Sequence, residues 1–499
     1  MNVEDAKVTA TPASPPREDE ASRSRGLFSA LRIMSAGSLL AIVFGVGTNK
    51  IIALSTGPDG IALIGLYRTV GSMTTAMLML GMSEVIVRRG SLARTRGDAL
   101  TLVRSTLRLL VMQMAVLGLL VVVAAPWVAR LIFGRGALPI DIRDVRLVIG
   151  MCLGTLLMSG AIALLNGQLR MKDTMRVTLF TSVMTLATTY PLLLLGRVGL
   201  TFIIGGTCFL GAALGFWLVL TRNNFTPREL LGSRPTPAGS LPISVAMSIN
   251  PVVVTGITLF IQSQMNRHYG LQALGWYGAA STLETTSVMV LMSAMKSFFL
   301  PTLGQMESDG EKGRFIAKMQ RVLLMLVLPG ALLLMTAAPV AVKVLFSRDF
   351  GPSAWLAAIL SLSIFFQVFT WCYHVYLLHR GEYRTCLMID TSWSVFRALS
   401  VVAVLGLGMP VSGIAWAYVA TSAFAAILYA ITVRRRIGAA YLNRQNLALG
   451  AAILATLAVA LWITSLQRLA LSVAFALIVA VPWALYGRGM ITRHRRSPD

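Results

Sequence analysis

Apolar runs long enough to cross a bilayer recur along the whole chain, and they constrain its fold more than any other feature. A helix that rises 1.5 Å per residue needs about 20 apolar residues to cross the hydrocarbon layer. Fourteen such spans can be placed, the first at about 27–55 and the last at 469–487. A chain of 499 residues that is 56% hydrophobic and 13% charged is too apolar for one soluble core. The sequence therefore predicts an all-α polytopic membrane protein.

Polar segments divide these spans into groups. Residues 1–26 are polar and proline-bearing, which predicts a disordered cytoplasmic tail. Six spans over 27–221 form a predicted N-lobe, and 222–242 is a predicted cytoplasmic linker. Six more spans over 243–433 form a predicted C-lobe. Residues 434–499 hold the last two spans and a second cytoplasmic tail.

The distribution of lysine and arginine orients the predicted spans. With a cytoplasmic N-terminus, the inner connections carry 30 of these residues and the outer connections nine. This bias follows the positive-inside rule and places both termini in the cytoplasm, as expected in a bacterial inner membrane. The net charge of +24 is then a topology signal that also contacts anionic membrane lipids, and it requires no nucleic acid.

An internal repeat relates the two predicted lobes. Three sequence pieces recur in the same order at shifts of 213, 210 and 214 residues. The pieces are Ala124-Ala125-Pro126 with Ala337-Ala338-Pro339, Gly60…Tyr67 with Gly270…Tyr277, and Gly167…Arg170 with Gly381…Arg384. Because each repeat holds an even number of spans, the two halves are predicted to have the same orientation in the membrane.

Two cations lie inside the first apolar hairpin, which turns at Gly57-Pro58-Asp59-Gly60. A charge within lipid costs roughly 2.5–3.5 kcal/mol on insertion scales, so it needs a partner, water or a function. Lys50 precedes the turn by seven residues, and its flexible stem either reaches the interface or lines a cavity. Arg68 lies eight residues past Gly60. Together they predict a basic cavity wall that binds an anionic substrate.

Three further charged residues lie within predicted spans of the C-lobe. Glu284 either pairs with a cavity cation or binds a coupling proton or sodium ion, and Asp390 is the other candidate for ion coupling. Arg397 either lines the cavity or contacts Asp390 seven residues earlier. His374 is interpreted as a helix-packing residue.

Two prolines interrupt predicted spans and are candidate hinges. Pro251 follows Asn250 in the seventh span, and Pro191 follows Tyr190 in the fifth. A proline frees a backbone carbonyl and permits bending, although a static kink is the alternative.

Sequence motifs at the two halves' first hairpins resemble a known transporter family. These motifs are the Gly-Pro-x-Gly turn between Lys50 and Tyr67-Arg68, then Gly275-Trp276-Tyr277 with Phe299-Leu300-Pro301-Thr302-Leu303, and Leu345-Phe346-Ser347-x-x-Phe350. They resemble the polysaccharide-transporter (oligosaccharide flippase) family, in particular the O-antigen and enterobacterial-common-antigen translocases of the MOP exporter superfamily.

That resemblance implies two six-helix lobes around a central cavity that opens alternately to each side (MATE/MOP-like). It implies a polyprenyl-pyrophosphate-linked oligosaccharide as cargo for O-antigen or exopolysaccharide synthesis. Polysaccharide polymerase or co-polymerase machinery is an implied partner. Fourteen helices are also similar to the lipid II flippases, so a peptidoglycan precursor is an alternative cargo.

Other classes fit the sequence less well. A MATE-type drug/cation antiporter needs an acidic cavity, whereas the first hairpin is basic. A membrane glycan polymerase or ligase needs long periplasmic loops, which the predicted topology lacks. The sequence contains no P-loop, no Ser/His/Asp constellation and no metal-ligand spacing. We therefore predict neither an enzyme nor a cofactor.

Overall fold

The computed structural model describes residues 17–79, 82–92, 95–134, 139–168, 170–226, 229, 241–304, 306, 308–437, 444–465, 471–479 and 483. Within these ranges the regular structure is helical. The helices are α1 Arg17–Met79, α2 Met82–Leu92, α3 Arg96–Val123, α4 Ala125–Phe133, α5 Pro139–Gly167, α6 Met171–Leu193 and α7 Arg197–Arg222. They continue with α8 Leu241–Gly304, α9 Asp309–Leu345, a 3₁₀ turn at Arg348–Phe350, α10 Gly351–His379, α11 Tyr383–Gly406, α12 Val411–Ile437 and α13 Arg444–Ser465.

The prediction of an all-α multi-pass membrane protein is confirmed. Among the described residues, nine helical stretches are long and apolar enough to cross a membrane, and one of them, Gly37–Met79, contains the first predicted hairpin. Large apolar side chains such as Val111, Trp127 and Leu194 lie exposed on helix surfaces, as expected where a helix contacts lipid. The lobe and tail boundaries remain predictions.

The first helix begins earlier than the sequence indicated. Because α1 starts at Arg17, residues 17–26 of the predicted disordered tail are helical. Glu18, Asp19 and Glu20 occupy the first turn, where carboxylates complement the positive end of the helix. Residues 1–16, the rest of that predicted tail, lie outside the described part of the chain.

A single glycine bends each of the two longest helices. Gly57 in α1 has φ 64° and ψ −161°, and Gly270 in α8 has φ 80° and ψ 172°. A side chain at such a φ is strained, so glycine is the residue that permits both bends. The two bends are equivalent in the repeat and 213 residues apart. The pairing of Gly60 with Gly270 at a shift of 210 was therefore wrong by three residues.

The two bends pack against each other and define what we call the turn end of the molecule. A Cβ added to Gly275 would lie only 2.1 Å from the carbonyl oxygen of Pro58, so α1 and α8 meet backbone to backbone. One continuous apolar core joins both lobes, with Ile52 and Tyr67 from α1 and Leu274 from α8 among its members. The lobes are therefore tightly joined at the turn end.

The N-lobe has a separate apolar core, and its members Ile86, Leu102 and Val219 come from α2, α3 and α7. These residues lie at the opposite end of the N-lobe, far along their helices from the Gly57 turn. Two different cores therefore support the two ends of the molecule, and only the core at the turn end extends into the C-lobe.

The start of the predicted linker is held against the N-lobe. Glu229 forms an ion pair with Arg96 at 3.2 Å, and its backbone carbonyl accepts a hydrogen bond from Arg104 at 2.6 Å. The Thr226 backbone N–H donates to the Glu229 carboxylate at 2.8 Å, and with Arg96 it keeps the pKa of that carboxyl below its usual range. We call this group the linker clasp.

Candidate functional site

Arg68 lies on the second half of α1, eleven residues past the bend at Gly57. The preceding residues, Leu66 and Tyr67, are fully buried, whereas Arg68 is exposed. Its Nη1 atom donates to Asn49 Oδ1 at 3.3 Å across the hairpin. No carboxylate of the described residues lies within ion-pair distance of Arg68. The guanidinium is thus an accessible charge that the protein does not neutralise.

Asn49 connects Arg68 to a cavity between the lobes. The cavity has a volume of about 340 Å³ and lies between the first half of α1, the second half of α8 and α9. Most of its lining is apolar, with Asn49, Thr282 and Thr286 among the polar exceptions. Leu333 also lines it and is 66% exposed, which places the cavity at the surface of the helix bundle. An amphipathic molecule in this cavity has an apolar wall beside it and Arg68 near one edge.

Lys50 does not face this cavity as a free cation. Its ammonium donates to the backbone carbonyl of Lys343 at 3.5 Å and to that of Val344. Both carbonyls belong to the last turn of α9, where the helix leaves its oxygens without intrahelical donors. A cation at this position is favourable because the carbonyl end of a helix carries partial negative charge. The sequence gave no sign of this contact, because a backbone partner has no residue pattern.

Glu284 lies buried in the C-lobe, with 1% of its surface exposed. Its carboxylate accepts hydrogen bonds from Ser363 at 2.9 Å, from Thr285 at 3.1 Å, and from the amide of Gln367. Of these donors, Ser363 and Gln367 lie on α10. The polar partners that a charge in this position requires are therefore present.

Arg397 belongs to the same polar region and not to Asp390. Its guanidinium lies over the ring of Tyr418, 4.9 Å from the ring centre. Tyr418 in turn lies 3.4 Å from the Gln367 amide that binds Glu284. The ion pairs found among the described residues do not join Arg397 to Asp390. The predicted i, i+7 contact between the two was therefore wrong, because each side chain has nearer partners on a neighbouring helix.

Asp390 forms a second polar cluster in the C-lobe. It accepts a hydrogen bond from the Tyr429 hydroxyl at 2.6 Å and one from Asn250 at 2.9 Å. His374 lies 2.8 Å from the Tyr429 hydroxyl and 3.8 Å from Asp390. His374, interpreted from sequence as a packing residue, is thus part of a polar cluster.

A smaller cavity separates the two carboxylate clusters. It measures about 200 Å³, and its lining includes Gln367 from the Glu284 cluster, His374 from the Asp390 cluster and Trp393. The indole Nε1 of Trp393 is buried without a hydrogen-bond partner. The C-lobe therefore contains a small polar chamber between its two membrane carboxylates.

The N-lobe lacks this chamber at the equivalent place. At the repeat shift of 213, Gln367 and Tyr418 correspond to Gly154 and Gly205. These glycines pack α5 directly on α7, since a Cβ on Gly154 would lie 2.4 Å from the Gly205 carbonyl oxygen. The C-lobe therefore has polar side chains where the N-lobe has close helix contact. Comparing the repeats position by position was the sequence signal that would have found Gln367 and Tyr418.

The two candidate hinge prolines lie in different surroundings. Pro191 is two residues before the end of α6, so the described helix bends little beyond it. Pro251 lies within α8, directly after the asparagine that binds Asp390, and the helix is regular there. Whether either residue bends during function stays a prediction.

Comparisons with known proteins place this architecture. Residues 57–355 match a family model described as polysaccharide biosynthesis protein. A search of curated protein sequences gave no significant match.

Solved structures with a similar fold include three transporters. An inward-facing multidrug resistance MATE family transporter of the MOP superfamily has a TM-score of 0.66 and 15% identity over 80% of this chain and 94% of that one. The lipid II flippase MurJ in an inward closed conformation has a TM-score of 0.65 and 10% identity over 92% and 99%. A MOP superfamily transporter from Pyrococcus furiosus, reported with a binding pocket of reversed polarity, has a TM-score of 0.61 and 13% identity over 82% and 95%. At these identities the likeness concerns the fold alone.

Proposed function

Because the chain belongs to the polysaccharide biosynthesis protein family, we propose that it is a flippase for a polyprenyl-pyrophosphate-linked oligosaccharide. It moves this lipid from the cytoplasmic to the periplasmic leaflet of a bacterial inner membrane by alternating access. The glycan serves O-antigen or exopolysaccharide synthesis. The shared fold with MOP-superfamily transporters supports the transport mechanism.

Arg68 is the observation that carries the proposal. It is exposed beside the cavity between the lobes, and no carboxylate of the described chain pairs with it. A guanidinium forms paired hydrogen bonds to phosphate oxygens, which suits a pyrophosphate headgroup. A cationic drug at the same place meets repulsion, so the MATE-type antiporter reading is disfavoured.

The shape of the cavity suits the two chemical parts of such a lipid. Its apolar lining and its position at the bundle surface favour an isoprenoid chain that remains partly in the bilayer. Asn49 and Arg68 at its edge favour the charged headgroup. The potential across an inner membrane favours outward movement of an anion by about 2.3 kcal/mol per charge per 100 mV, so transport requires no nucleotide.

Glu284 and Asp390 are the proposed sites of ion coupling. Both carboxylates lie in the C-lobe next to the small polar chamber, which has no counterpart at Gly154 and Gly205 of the N-lobe. A departure from internal symmetry that places carboxylates within a membrane lobe favours a function specific to that lobe. A proton or sodium ion bound there and returned inward supplies a second driving force.

Substitution of Arg68 tests the proposal. Arg68→Ala should lower surface-glycan display at least roughly tenfold in a strain that lacks its flippase, since a charge-assisted hydrogen bond contributes about 1.5–3 kcal/mol. Arg68→Lys should restore part of the display, because an ammonium keeps the charge but not the paired geometry. Membrane levels are compared by immunoblot.

The matched control is Arg143→Ala, which removes an exposed arginine outside the cavity and should leave display unchanged. Full display with Arg68→Ala would contradict the assignment of the headgroup to this residue. Complementation of lipid II flippase-deficient cells, in parallel with glycan display, decides between the two cargo classes.

A further inference from the structure

Two side chains hold the lobes together at the turn end, and the repeat relates them to each other. Lys50 of the N-lobe donates to the carbonyl of Val344 in the C-lobe. Ser263 of the C-lobe donates to the carbonyl of Leu131 in the N-lobe. Both donors precede their bend glycine by seven residues, and both acceptors lie in the last turn of a helix. Donor matches donor and acceptor matches acceptor at a shift of 213. We call the two contacts the turn-end latch.

The two halves of the latch differ in strength. On the Ser263 side, Asn266 donates to the Ile132 carbonyl at 3.0 Å, and Arg267 donates to those of Arg130 and Leu131 at 2.8 Å each. The end of α4 is therefore held by three side chains of α8.

On the other half, the counterparts of Asn266 and Arg267 in α1 are Ala53 and Leu54, which have no side-chain donor. Among these repeat-related positions, Lys50 alone binds the end of α9. Release of this one ammonium removes the polar contact on that half.

Lys50 is also next to the proposed headgroup site. The residue before it, Asn49, lines the cavity between the lobes and accepts the hydrogen bond from Arg68. A lysine side chain is a flexible stem with a compact charge, so its ammonium can move from one acceptor to another nearby. The end of a helix presents only about half an elementary negative charge. A pyrophosphate carries more than this, and it is the stronger partner for the ammonium.

We propose, on the premise of the function proposed above, that Lys50 couples headgroup binding to opening of the turn end. Without cargo, Lys50 binds the carbonyl end of α9 and keeps the turn end closed. When an anionic headgroup reaches Arg68, the ammonium leaves the carbonyls for the anion, and the weaker half of the latch is released. The Ser263 half is neutral at its symmetric contact and does not respond to the anion in this way. Lys50 is thus a positioning residue that acts on the gate and the cargo alternately.

The test measures the distance between the lobes in the full chain, reconstituted in nanodiscs. Spin labels are placed at exposed positions on each side of the turn end, Asp59 and Arg348, in a background without native cysteines. Electron–electron resonance gives the fraction of molecules with a separated turn end. The probes are farnesyl pyrophosphate and, as the uncharged control, farnesol.

Lys50→Met should raise the open fraction without ligand roughly five- to thirtyfold, the range expected for a charge at a helix end. Lys343→Met is the matched control, because it removes a neighbouring charge and keeps the carbonyl that Lys50 binds. It should leave the distances unchanged. Farnesyl pyrophosphate should open the wild-type protein and leave Lys50→Met without further change, whereas farnesol should do neither. Ser263→Ala should raise the open fraction and keep the response to farnesyl pyrophosphate.

Unchanged distances in Lys50→Met, or the same opening in Lys343→Met, would overturn the latch. A wild-type protein that binds farnesyl pyrophosphate without opening would overturn the coupling, while leaving the proposed function standing. Failure of the wild-type protein to bind farnesyl pyrophosphate at all counts against the proposed function and the coupling together. The ligand-free comparison of Lys50→Met with Lys343→Met still decides the latch alone.

Discussion

Substitution of Glu284 by glutamine is expected to remove ion coupling while leaving the fold intact. The carboxylate accepts hydrogen bonds from Ser363, Thr285 and Gln367. Glutamine has the same shape, and its carbonyl oxygen can accept from Ser363 and Gln367. Its amide faces Thr285, whose hydroxyl can turn and accept. Glu284→Gln therefore loses the ionisable group with little loss of hydrogen bonding.

Alanine at the same position should behave differently. Glu284→Ala leaves the buried Ser363 and Gln367 donors without this acceptor, at a cost of about 1–3 kcal/mol for each unsatisfied group. We expect a loss of about 2–4 kcal/mol in the free energy of unfolding, some of it recovered because Ser363 also donates to the Leu360 carbonyl. The midpoint of thermal unfolding of purified protein separates the two variants.

The functional assay is translocation of a fluorescent lipid-linked glycan in proteoliposomes under a proton gradient, a sodium gradient or neither. Wild-type protein should respond to one gradient, and Glu284→Gln should translocate at the same rate with and without it. Asp390→Asn, measured in parallel, shows whether the second carboxylate acts in the same step. A Glu284→Gln protein with the full gradient response would refute the reasoning, because the group said to bind the ion would then be dispensable.

Two further predictions concern the fold around the site. Gly57→Ala should lower the free energy of unfolding by about 1–3 kcal/mol, because its φ of 64° strains a side chain although no atom lies within 4 Å of the new Cβ. Gly65→Ala has the same open space and no positive φ, so an equal thermal shift in both variants would contradict the backbone explanation. Glu229→Gln should speed proteolysis within 222–240, since it loses the ion pair to Arg96. Because Thr226 and Arg96 lower the pKa of Glu229, the linker clasp of the wild-type protein should persist at neutral pH and weaken only as the pH falls through that lowered pKa. A cleavage rate that is the same in Glu229→Gln and wild type would show that the clasp does not hold the linker.

The sequence predicted those features that depend on composition and periodicity. Apolar runs predicted the helical membrane class, and repeated pieces predicted that Gly57 and Gly270 lie in related hairpins. The repeat was three residues out of register at the turn, because Gly60 resembles Gly270 in residue type while only Gly57 shares its φ.

Side-chain partners were predictable only in part. Arg68 was expected beside a cavity, and it is exposed next to Asn49, which lines one. The partner of Lys50 could not be found, because backbone carbonyls leave no mark in sequence. Arg397 was placed with Asp390 by spacing along one helix, whereas its ring contact, Tyr418, comes from the next helix. Contacts between helices depend on which faces meet, and spacing within one helix does not determine that.

The contact between the two bent helices has a consequence for synthesis of the protein. The bends at Gly57 and Gly270 lie 213 residues apart in the chain, so the first is made well before its partner exists. At a translation rate of roughly 5–20 residues per second, the interval is about 10–40 s. During that time the ends of α4 and the ammonium of Lys50 have no partner from the second lobe. The first lobe must wait in the membrane half-assembled, and factors that shield nascent membrane helices have their longest task at this one surface.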